Sequence, residues 1–282
     1  MESFDALKGV HYAQEKLLQE VDRICKKHDI PYYLWAGTLL GAVRHKDFIP
    51  WDDDVDVAFK RPDFEKFLSV APDELAAAFE LVMPGENNRF FDMIPKINYV
   101  SSRLFKTDPY GDYYNGRHNR VSLDLFCLDM PKDGFRFKLQ LLRLKTLYGY
   151  AMGHRKKLDY SDYAFHLRPV IWGLSLIGKT MSMETILRKH KKASCGTKNS
   201  DSLCIFNERI FFIHPRFRAE WFENTKEFII REQKYTSMAG YDSYLKFVYH
   251  DYNSLPPEEK RIPEHSGTLD EIEVKDLDGN II

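Results

Sequence analysis

The chain has 282 residues, 44% of them hydrophobic and 14% aromatic, and a formal net charge of −1. This composition is typical of a folded protein with a substantial core and excludes a disordered chain, while the near-neutral charge points to no particular partner. The sequence begins without the basic and apolar regions of a signal peptide, and no apolar run approaches the about 20 residues of a membrane-spanning helix, so we expect a cytoplasmic protein. The four cysteines contain no Cys-x-x-Cys pair, which predicts reduced thiols and neither a zinc site nor a disulfide framework.

The first elements combine a helix, a short strand and a candidate anion site. Apolar residues at helical spacing predict an amphipathic helix over residues 4–27. An aromatic strand is predicted at 32–36, followed by a turn at Gly37 and Thr38 and by a helix that begins at 39–43. Unpaired N–H groups at the start of a helix and a threonine hydroxyl can donate hydrogen bonds to an anion. The order of strand, Gly-Thr and helix therefore suits a phosphate group.

Four aspartates lie within five positions of the next segment: Asp52, Asp53, Asp54 and Asp56. The apolar residues at 55–59 predict a strand, so Asp54 and Asp56 share one face with their Cα atoms about 6.6 Å apart. Asp52 joins them if the strand begins early, whereas Asp53 points away. Carboxylates this close repel one another, and a divalent cation is the usual compensation. The alternative is a solvated acidic turn before a strand.

A further carboxylate, Asp124, is predicted on a later strand. The elements before it are, in chain order, a helix opening at 61–63, a turn at 84–88, a strand at 96–100 and a loop rich in Gly, Asn and Tyr at 108–119. The alternation of residues 121–126 then predicts a strand with Leu123 and Leu125 on one face and Ser122 and Asp124 on the other. A carboxylate in an apolar strand is costly to bury without a partner. The cation predicted beside the acidic segment is the simplest partner, and a salt bridge or a half-exposed edge strand is the alternative.

The segment 132–198 is strongly basic, with fifteen Lys and Arg against four Asp and Glu. Helices are predicted over 135–150 and 181–192, interleaved with apolar and aromatic residues. Such a surface suits anionic lipid head groups or a polyphosphate acceptor, and a solvated basic face is the equal alternative. Nucleic acid is not expected as a partner, since no recognition motif accompanies the charge.

The last part of the chain contains one further helix and an acidic tail. A helix is predicted over 241–249, and it leads into a polar segment that ends near 261. The acidic residues after Gly267 predict a frayed tail.

Three blocks of residues resemble the LicD family, which contains bacterial phosphocholine transferases and is similar to the fukutin-related ribitol-phosphate transferases. The longest block, residues 34–57, is LWAGTLLGAVRHKDFIPWDDDVDV. Residues 123–129 (LDLFCLD) are similar to the family's Ile-Asp-Ile-Phe-Pro-Leu-Asp block, and residues 249–261 (YHDYNSLPPEEKR) to its Tyr-Gly-Asp-Tyr block. The chain departs from these blocks at Asp47 and His250, where the family often has Gly, and at Cys127, where Pro is common. All the carboxylates are retained.

The resemblance implies an α+β fold of nucleotidyltransferase type, with a mixed β-sheet, flanking helices and a helical basic insertion. The implied division is a catalytic core at 1–131, the basic insertion at 132–198, the C-terminal part of the domain at 199–267 and the acidic tail at 268–282.

The resemblance also implies a metal-dependent active site. Asp54 and Asp56 would bind Mg²⁺, or Mn²⁺ in its place, and Asp124 would complete the site as a metal ligand or as the acceptor of a proton. The expected substrate-binding residues are Gly37 and Thr38 for a phosphate, Arg44, His45 and Lys46 for positive charge unless they form a solvated loop, and Asp251 for the donor unless it caps a helix.

The reaction implied by the resemblance is transfer of a phosphocholine-like alcohol phosphate from a CDP-activated donor to a hydroxyl of a cell-surface glycan, such as teichoic acid, or of its lipid-linked precursor, with release of CMP. Substrate choice is expected at 110–119 and in the basic segment. Peripheral contact with the inner face of an anionic membrane is compatible with the basic charge. The alternatives are a nucleotidyltransferase that releases pyrophosphate and a non-catalytic glycan-binding protein.

Overall fold

The computed structural model describes residues 7–106, 111–158, 160, 163–196, 200–208, 215–263 and 271–282. The chain divides into two compact units. The first unit comprises Met1–Val82, Pro95–Phe126 and Glu220–Ile282, and the second comprises Met83–Ile94 and Cys127–Ala219. The basic segment falls in the second unit together with residues on both sides of it, and the domain boundaries expected at 131, 198 and 267 stay predictions. The last of these boundaries lies outside the described residues.

Helices and strands alternate along most of the described chain. The α-helices are α1 (Lys8–His28), α2 (Ala36–Arg44), α3 (Arg61–Glu74), α4 (Gly111–Tyr114), α5 (Gly134–Ala151), α6 (Arg168–Gly178), α7 (Met183–Ser194) and α8 (Tyr241–Tyr249). The strands are β1 (Tyr33–Leu34), β2 (Val55–Lys60), β3 (Phe79–Val82), β4 (Lys96–Tyr99), β5 (Ser102–Arg103), β6 (Ser122–Asp129), β7 (Ser202–Ile205), β8 (Phe217–Arg218), β9 (Thr225–Ile230), β10 (Gln233–Met238) and β11 (Glu273–Val274). Within the described residues, no helix is both long enough and apolar enough to cross a membrane.

The first unit is built on a sheet in the order β1-β2-β6-β4-β3. The ladders β1–β2, β4–β6 and β3–β4 are antiparallel. An antiparallel hairpin of β9 and β10 and an antiparallel pair of β5 and β11 complete its strands. A sheet with flanking helices is therefore present as expected, while its assignment to the nucleotidyltransferase type stays a prediction.

Helix α1 forms because its apolar residues recur on one face. Val10, Leu17 and Ile24, at seven-residue spacing, are fully buried. The helix begins at Lys8, close to the predicted start, and residues 4–6 of the prediction lie outside the described residues. It ends at His28, because Asp29 adopts a left-handed conformation (φ 51°) that closes the C-terminus.

The segment around Gly37 differs from the prediction. The strand is confined to Tyr33–Leu34, and α2 already begins at Ala36, so Gly37 and Thr38 lie in its first turn and do not form a turn before it. The reason is a tertiary hydrogen bond: the N–H of Trp35, the extended residue before the helix, donates to the backbone oxygen of Asp56 at 3.1 Å. This bond ties the start of α2 to β2.

The predicted alternation of β6 is confirmed. Leu123 and Leu125 are fully buried, whereas Ser122 and Asp124 on the opposite face are partly exposed. The strand extends to Asp129, three residues beyond the prediction. These last residues belong to the second unit, where they pair with β7 and are buried.

The second unit has its own apolar core around α5 and α7. Leu144, Leu147 and Ile186 form part of this core together with Phe90 and Phe206. Helices α5 and α7 confirm the two helices predicted in the basic segment, with ends that differ by one or two residues. Helix α6 was not predicted. Asp159, Asp162 and Lys198 of the basic segment lie outside the described residues.

The prediction of a frayed acidic tail is wrong for residues 271–282. Glu273 and Val274 pair with β5, and the N–H of Ile282 donates to the Val274 oxygen at 3.0 Å. Val274 is buried against Gly9 of α1 and so anchors this segment to the helix. Residues 268–270 of the tail lie outside the described residues.

Candidate active site

A cleft of about 660 Å³ opens in the first unit beside the start of α2. Its walls come from α2, the acidic segment before β2 and the segment that follows α8. The lining residues are Ala36, Gly37, Leu40, Arg44, Ile49, Trp51, Asp52, Asp54, Asp56, Tyr249, Asp251, Tyr252, Ser254, Leu255, Pro256, Lys260 and Ile262. The first and third sequence blocks, separated by about two hundred residues, thus face each other across one cavity.

Three of the four clustered aspartates line this cleft. Asp52, Asp54 and Asp56 do so, whereas Asp53 is buried and is not among the lining residues. The predicted shared face of Asp54 and Asp56 is confirmed. Asp52 also shares it, although β2 begins only at Val55, so the loop and not an early strand turns this side chain toward the cavity.

Helix α2 holds the acidic segment in place. The N–H of Asp56 donates to the hydroxyl oxygen of Thr38 at 2.8 Å, and this threonine is buried. Gly37 lies so close to the carboxylate of Asp52 that an added Cβ atom would collide with its oxygen. Any larger residue at this position would displace the Asp52 carboxylate from its place beside the start of the helix.

The cleft concentrates negative charge around a buried carboxyl group. Burial raises the pKa of Asp56 well above its ordinary value, and the neighbouring charges of Asp54, Asp124 and Asp52 raise it further. The ammonium of Lys96 opposes this shift in the pKa.

Asp124 lies opposite Lys96 in the β4–β6 ladder. The Lys96 ammonium is 3.0 Å from both carboxylate oxygens. The salt bridge that the sequence left open as an alternative is therefore present. The charge of Asp124 also acts on Asp56, but Asp124 is not among the residues that line the cleft. The predicted metal-binding and catalytic group of Asp54, Asp56 and Asp124 stays a prediction.

The aspartates also affect the pKa of Tyr249, the last residue of α8. Burial raises the pKa of its hydroxyl group, and the charges of Asp56, Asp52 and Asp54 raise it further. The hydroxyl group therefore remains protonated at neutral pH and is able to donate a hydrogen bond inside the cleft.

The chemistry of these side chains suits a hard divalent cation. Carboxylate oxygens are the ligands that Mg²⁺ and Mn²⁺ prefer, and such an ion reduces the repulsion between neighbouring carboxylates. Across the described part of the chain, no three His, Cys, Asp or Glu side chains are already arranged as a metal-binding group. The donor set therefore fits Mg²⁺ by chemical type, and its ligands would have to adjust on binding.

Of the three residues predicted to supply positive charge, Arg44 lines the cleft and His45 and Lys46 do not. The guanidinium of Arg44 donates to the backbone oxygens of Tyr252 and Ser254 at 3.2 and 3.3 Å. It thereby attaches the segment after α8 to α2. The ring of His45 lies edge-on to Trp51, and burial lowers its pKa.

Asp251 lines the cleft in the turn that follows α8. Its carboxylate accepts a hydrogen bond from the Ser254 hydroxyl at 2.5 Å. The residues that cap α8 are Gly240 and His250, so Asp251 does not cap this helix. Binding of a donor by Asp251 stays a prediction.

Sequence analysis missed Lys96, Tyr249 and Lys260. Lys260 lines the cleft, and the neighbouring Arg261 lies over the ring of Trp51, 5.7 Å from its centroid. Tyr249 and Lys260 are part of the third sequence block, which was a usable signal. Lys96 carried no such signal, because its role depends on strand pairing with Asp124.

Comparison with known proteins identifies the domain that contains this cleft. Residues 29–142 match the family model described as LicD/FKTN/FKRP, nucleotidyltransferase domain. The lipopolysaccharide cholinephosphotransferase LicD of Haemophilus influenzae is 25% identical over 261 residues, which cover 88% of this chain and 92% of that protein. Shorter matches occur to uncharacterized proteins of Rickettsia typhi (39% over 57 residues, 20% of this chain and 18% of that protein) and Rickettsia prowazekii (42% over 48 residues, 17% and 18%).

The family match covers α2, the acidic segment, β2 and the part of β6 that carries Asp124. The similarity to the Haemophilus protein extends over most of the chain. Residues 29–142, which include the first two sequence blocks, therefore match the LicD family, as the resemblance of those blocks predicted.

Proposed function

We propose that this chain is a phosphotransferase that moves a phosphocholine-like alcohol phosphate from a CDP-activated donor to a hydroxyl of a cell-surface glycan or its lipid-linked precursor. The observation that carries the proposal is the alignment of Asp52, Asp54 and Asp56 along one cleft that also contains the start of α2 and the third sequence block. The similarity to a cholinephosphotransferase supports the choice of phosphocholine.

The donor diphosphate would lie between the start of α2 and the aspartates. Backbone N–H groups at Gly37 and Thr38 suit a phosphate oxygen, because the first N–H groups of a helix have no partner within the helix. Arg44 and Lys260 add positive charge to the wall of the same cleft. The Thr38 hydroxyl also accepts a bond from Asp56, so its main role is to hold the carboxylate segment.

Asp54 and Asp56 would hold Mg²⁺, or Mn²⁺, and Asp124 would serve either as a third ligand or as the acceptor of the hydroxyl proton. When bound, the cation neutralises charge on the diphosphate and on the leaving group. Asp56 is fixed for this role by the two backbone bonds that tie it to α2.

The reaction is an in-line displacement at phosphorus. The hydroxyl oxygen of the acceptor bonds to the phosphorus that carries the alcohol, and the bond from this phosphorus to the CMP oxygen breaks. CMP leaves with the electron pair, and the hydroxyl proton passes to a carboxylate, for which we propose Asp124. Positioning and charge neutralisation supply most of the rate enhancement, so no covalent enzyme intermediate is required.

The acceptors to test first are lipopolysaccharide, which the name of the Haemophilus relative specifies, and teichoic acid. A CDP-activated donor is an intracellular metabolite, so we place the reaction in the cytoplasm, at the inner face of the membrane when the acceptor is lipid-linked.

The test is to incubate the full chain with CDP-choline, CDP-ribitol or CDP-glycerol and each acceptor, with Mg²⁺ or with EDTA. We expect CMP release and a labelled acceptor with one CDP-alcohol, only in the presence of the metal. Release of pyrophosphate from CTP or ATP would favour the alternative nucleotidyltransferase. Glycan binding without turnover of any donor would favour the non-catalytic alternative.

A further inference from the structure

We propose that the outer surface of helices α5 and α6 docks on an anionic lipid bilayer. Both helices belong to the second unit, outside the candidate active site. The exposed apolar residues of these helices, together called here the apolar face, are Phe135, Leu139 and Leu142 of α5 and Val170, Trp172, Leu176 and Ile177 of α6.

Helix α5 presents an exposed apolar stripe with basic residues on both sides. At about 100° per residue, Phe135, Leu139 and Leu142 fall within about 60° of one another on the helix circumference. Phe135 is 71% exposed and Leu142 63% exposed. Arg136 and Arg143 flank the stripe on one side, and Lys138 and Lys145 flank it on the other. The segment 134–158 contains seven Lys and Arg and no Asp or Glu.

Helix α6 is apolar on its outer side as well as on its packed side. Ile171, Ser175 and Gly178 form its buried face. Between Arg168 and Lys179 no residue is charged, and the exposed side carries Trp172 at 56% exposure. A surface helix of a water-facing protein normally places charged and polar residues on that side.

The packing of α6 on α5 explains why the apolar residues on the outer side of α6 are not buried. α6 lies close to the end of α5, because Leu174 contacts Gly149 and Gly178 contacts the backbone of Tyr150. These close approaches use the small residues of both helices and fix the side of α6 that packs. The side with Trp172 is then left outside, at an energetic cost that a partner must recover.

The basic residues beside the apolar stripe of α5 favour a lipid bilayer over a protein as the partner. Apolar residues flanked by Lys and Arg match the boundary between acyl chains and anionic head groups, where tryptophan is also enriched. Lysine is depleted in protein interfaces, so Lys138 and Lys145 beside the stripe fit a second protein poorly. Each basic residue near an anionic surface strengthens binding to it.

Docking would bring the enzyme to a lipid-linked acceptor and so deepens the proposed function, on which this role rests. Vesicle binding needs neither donor nor acceptor, so failure of the docking proposal can be told from failure of the proposed activity.

The test measures co-sedimentation of the full chain with vesicles of phosphatidylcholine alone or with a quarter of phosphatidylglycerol. We expect binding to the anionic vesicles to be at least about tenfold stronger, and high salt to weaken it. The variant L139S/L142S/W172S should reduce binding about tenfold, and R136Q/R143Q should remove most of the preference for anionic lipid. All these positions are exposed, so circular dichroism should remain unchanged.

The matched control is I229S/F247S, which removes two exposed apolar residues of the first unit and should bind as the unaltered chain does. Equal loss in the control, or equal binding of the unaltered chain to both vesicle types, overturns the proposal. So does a dimer in sedimentation velocity without lipid that L139S/L142S/W172S converts to a monomer, because the apolar face is then covered by a second copy.

Discussion

At the scale of single residues, the candidate site depends on which carboxylates of one acidic run face the cleft. Asp52, Asp54 and Asp56 face it, and Asp53 does not. The raised pKa of Asp56 means that its charged form is disfavoured in the folded protein, so Asp56 lowers stability at neutral pH and is retained for another reason. Residues kept against stability in this way are typical of functional sites.

Replacement of Asp56 by Asn should separate activity from stability. We expect D56N to lower the rate of CMP release by about 100-fold or more, because a ligand for the cation is lost. The melting temperature should not fall, because a buried charge repelled by its neighbours is removed. Steady-state kinetics and a thermal melt measure the two effects. D53N is the matched control, and an active D56N with an inactive D53N would refute the assignment.

His250 occupies a backbone conformation that favours glycine. Its φ is 57° and its ψ −105°, directly after the last residue of α8. The family often has Gly here, so the substitution retains the loop and strains the backbone. H250G should therefore be more stable than H250A by about 1 kcal/mol, since both remove the imidazole and only the former relieves the strain. Urea unfolding of the two variants measures the difference, and a more stable H250A would contradict it.

At the scale of elements, a single carboxylate joins the ends of two helices. Glu74, the last residue of α3, is 2.7 Å from the Lys27 ammonium and 2.9 Å from the His28 ring at the end of α1. Hydrogen bonds from Lys27 and His28 lower the pKa of Glu74 to about 2. The contacts connect two helices of the first unit.

This lowered pKa predicts how stability depends on pH. Because the folded-state pKa lies below the ordinary value of 4.5, the contribution of Glu74 is complete above that value and is lost as the pH falls toward about 2. We expect E74Q to melt below the unaltered chain at pH 7, and the gap to narrow below pH 4.5 and to close as the pH approaches about 2. Thermal melts across this pH range test the prediction. E80Q, at an exposed ion pair of β3, is a control for general charge effects. A gap between E74Q and the unaltered chain that widens in acid would contradict the assignment.

At the scale of the whole molecule, the proposed phosphotransfer and the proposed lipid binding belong to different compact units. The cleft lies in the first unit and the apolar face in the second. Because all the residues that line the cleft belong to the first unit, a ligand in the cleft should change amide exchange in that unit.

Hydrogen exchange can locate the donor. With CDP-choline and Mg²⁺, we expect slower amide exchange at residues 36–56 and 249–262, because a ligand that binds only the folded protein protects the segments it contacts. Helices α5–α7 serve as the internal reference and should exchange as before. Protection confined to these helices would place the donor elsewhere and contradict the assignment of the cleft. Mass spectrometry of peptides gives sufficient resolution for this comparison.

The sequence by itself determined the local features of this protein. The acidic segment followed by an apolar strand, the shared face of Asp54 and Asp56, the two helices of the basic segment and α8 all follow from periodicity within one segment. The resemblance to the LicD family rests likewise on contiguous blocks. Such features depend on neighbours along the chain, and the structure retains them.

Only the tertiary structure decided which residues face one another. The bond from Trp35 to Asp56 moved the start of α2 ahead of Gly37, and strand pairing placed Lys96 against Asp124. Val274 ordered a tail whose composition predicted fraying. The outer side of α6 is exposed because its small residues pack on α5. Each outcome depends on contacts between residues far apart in the sequence, and no pattern within one segment carries that information.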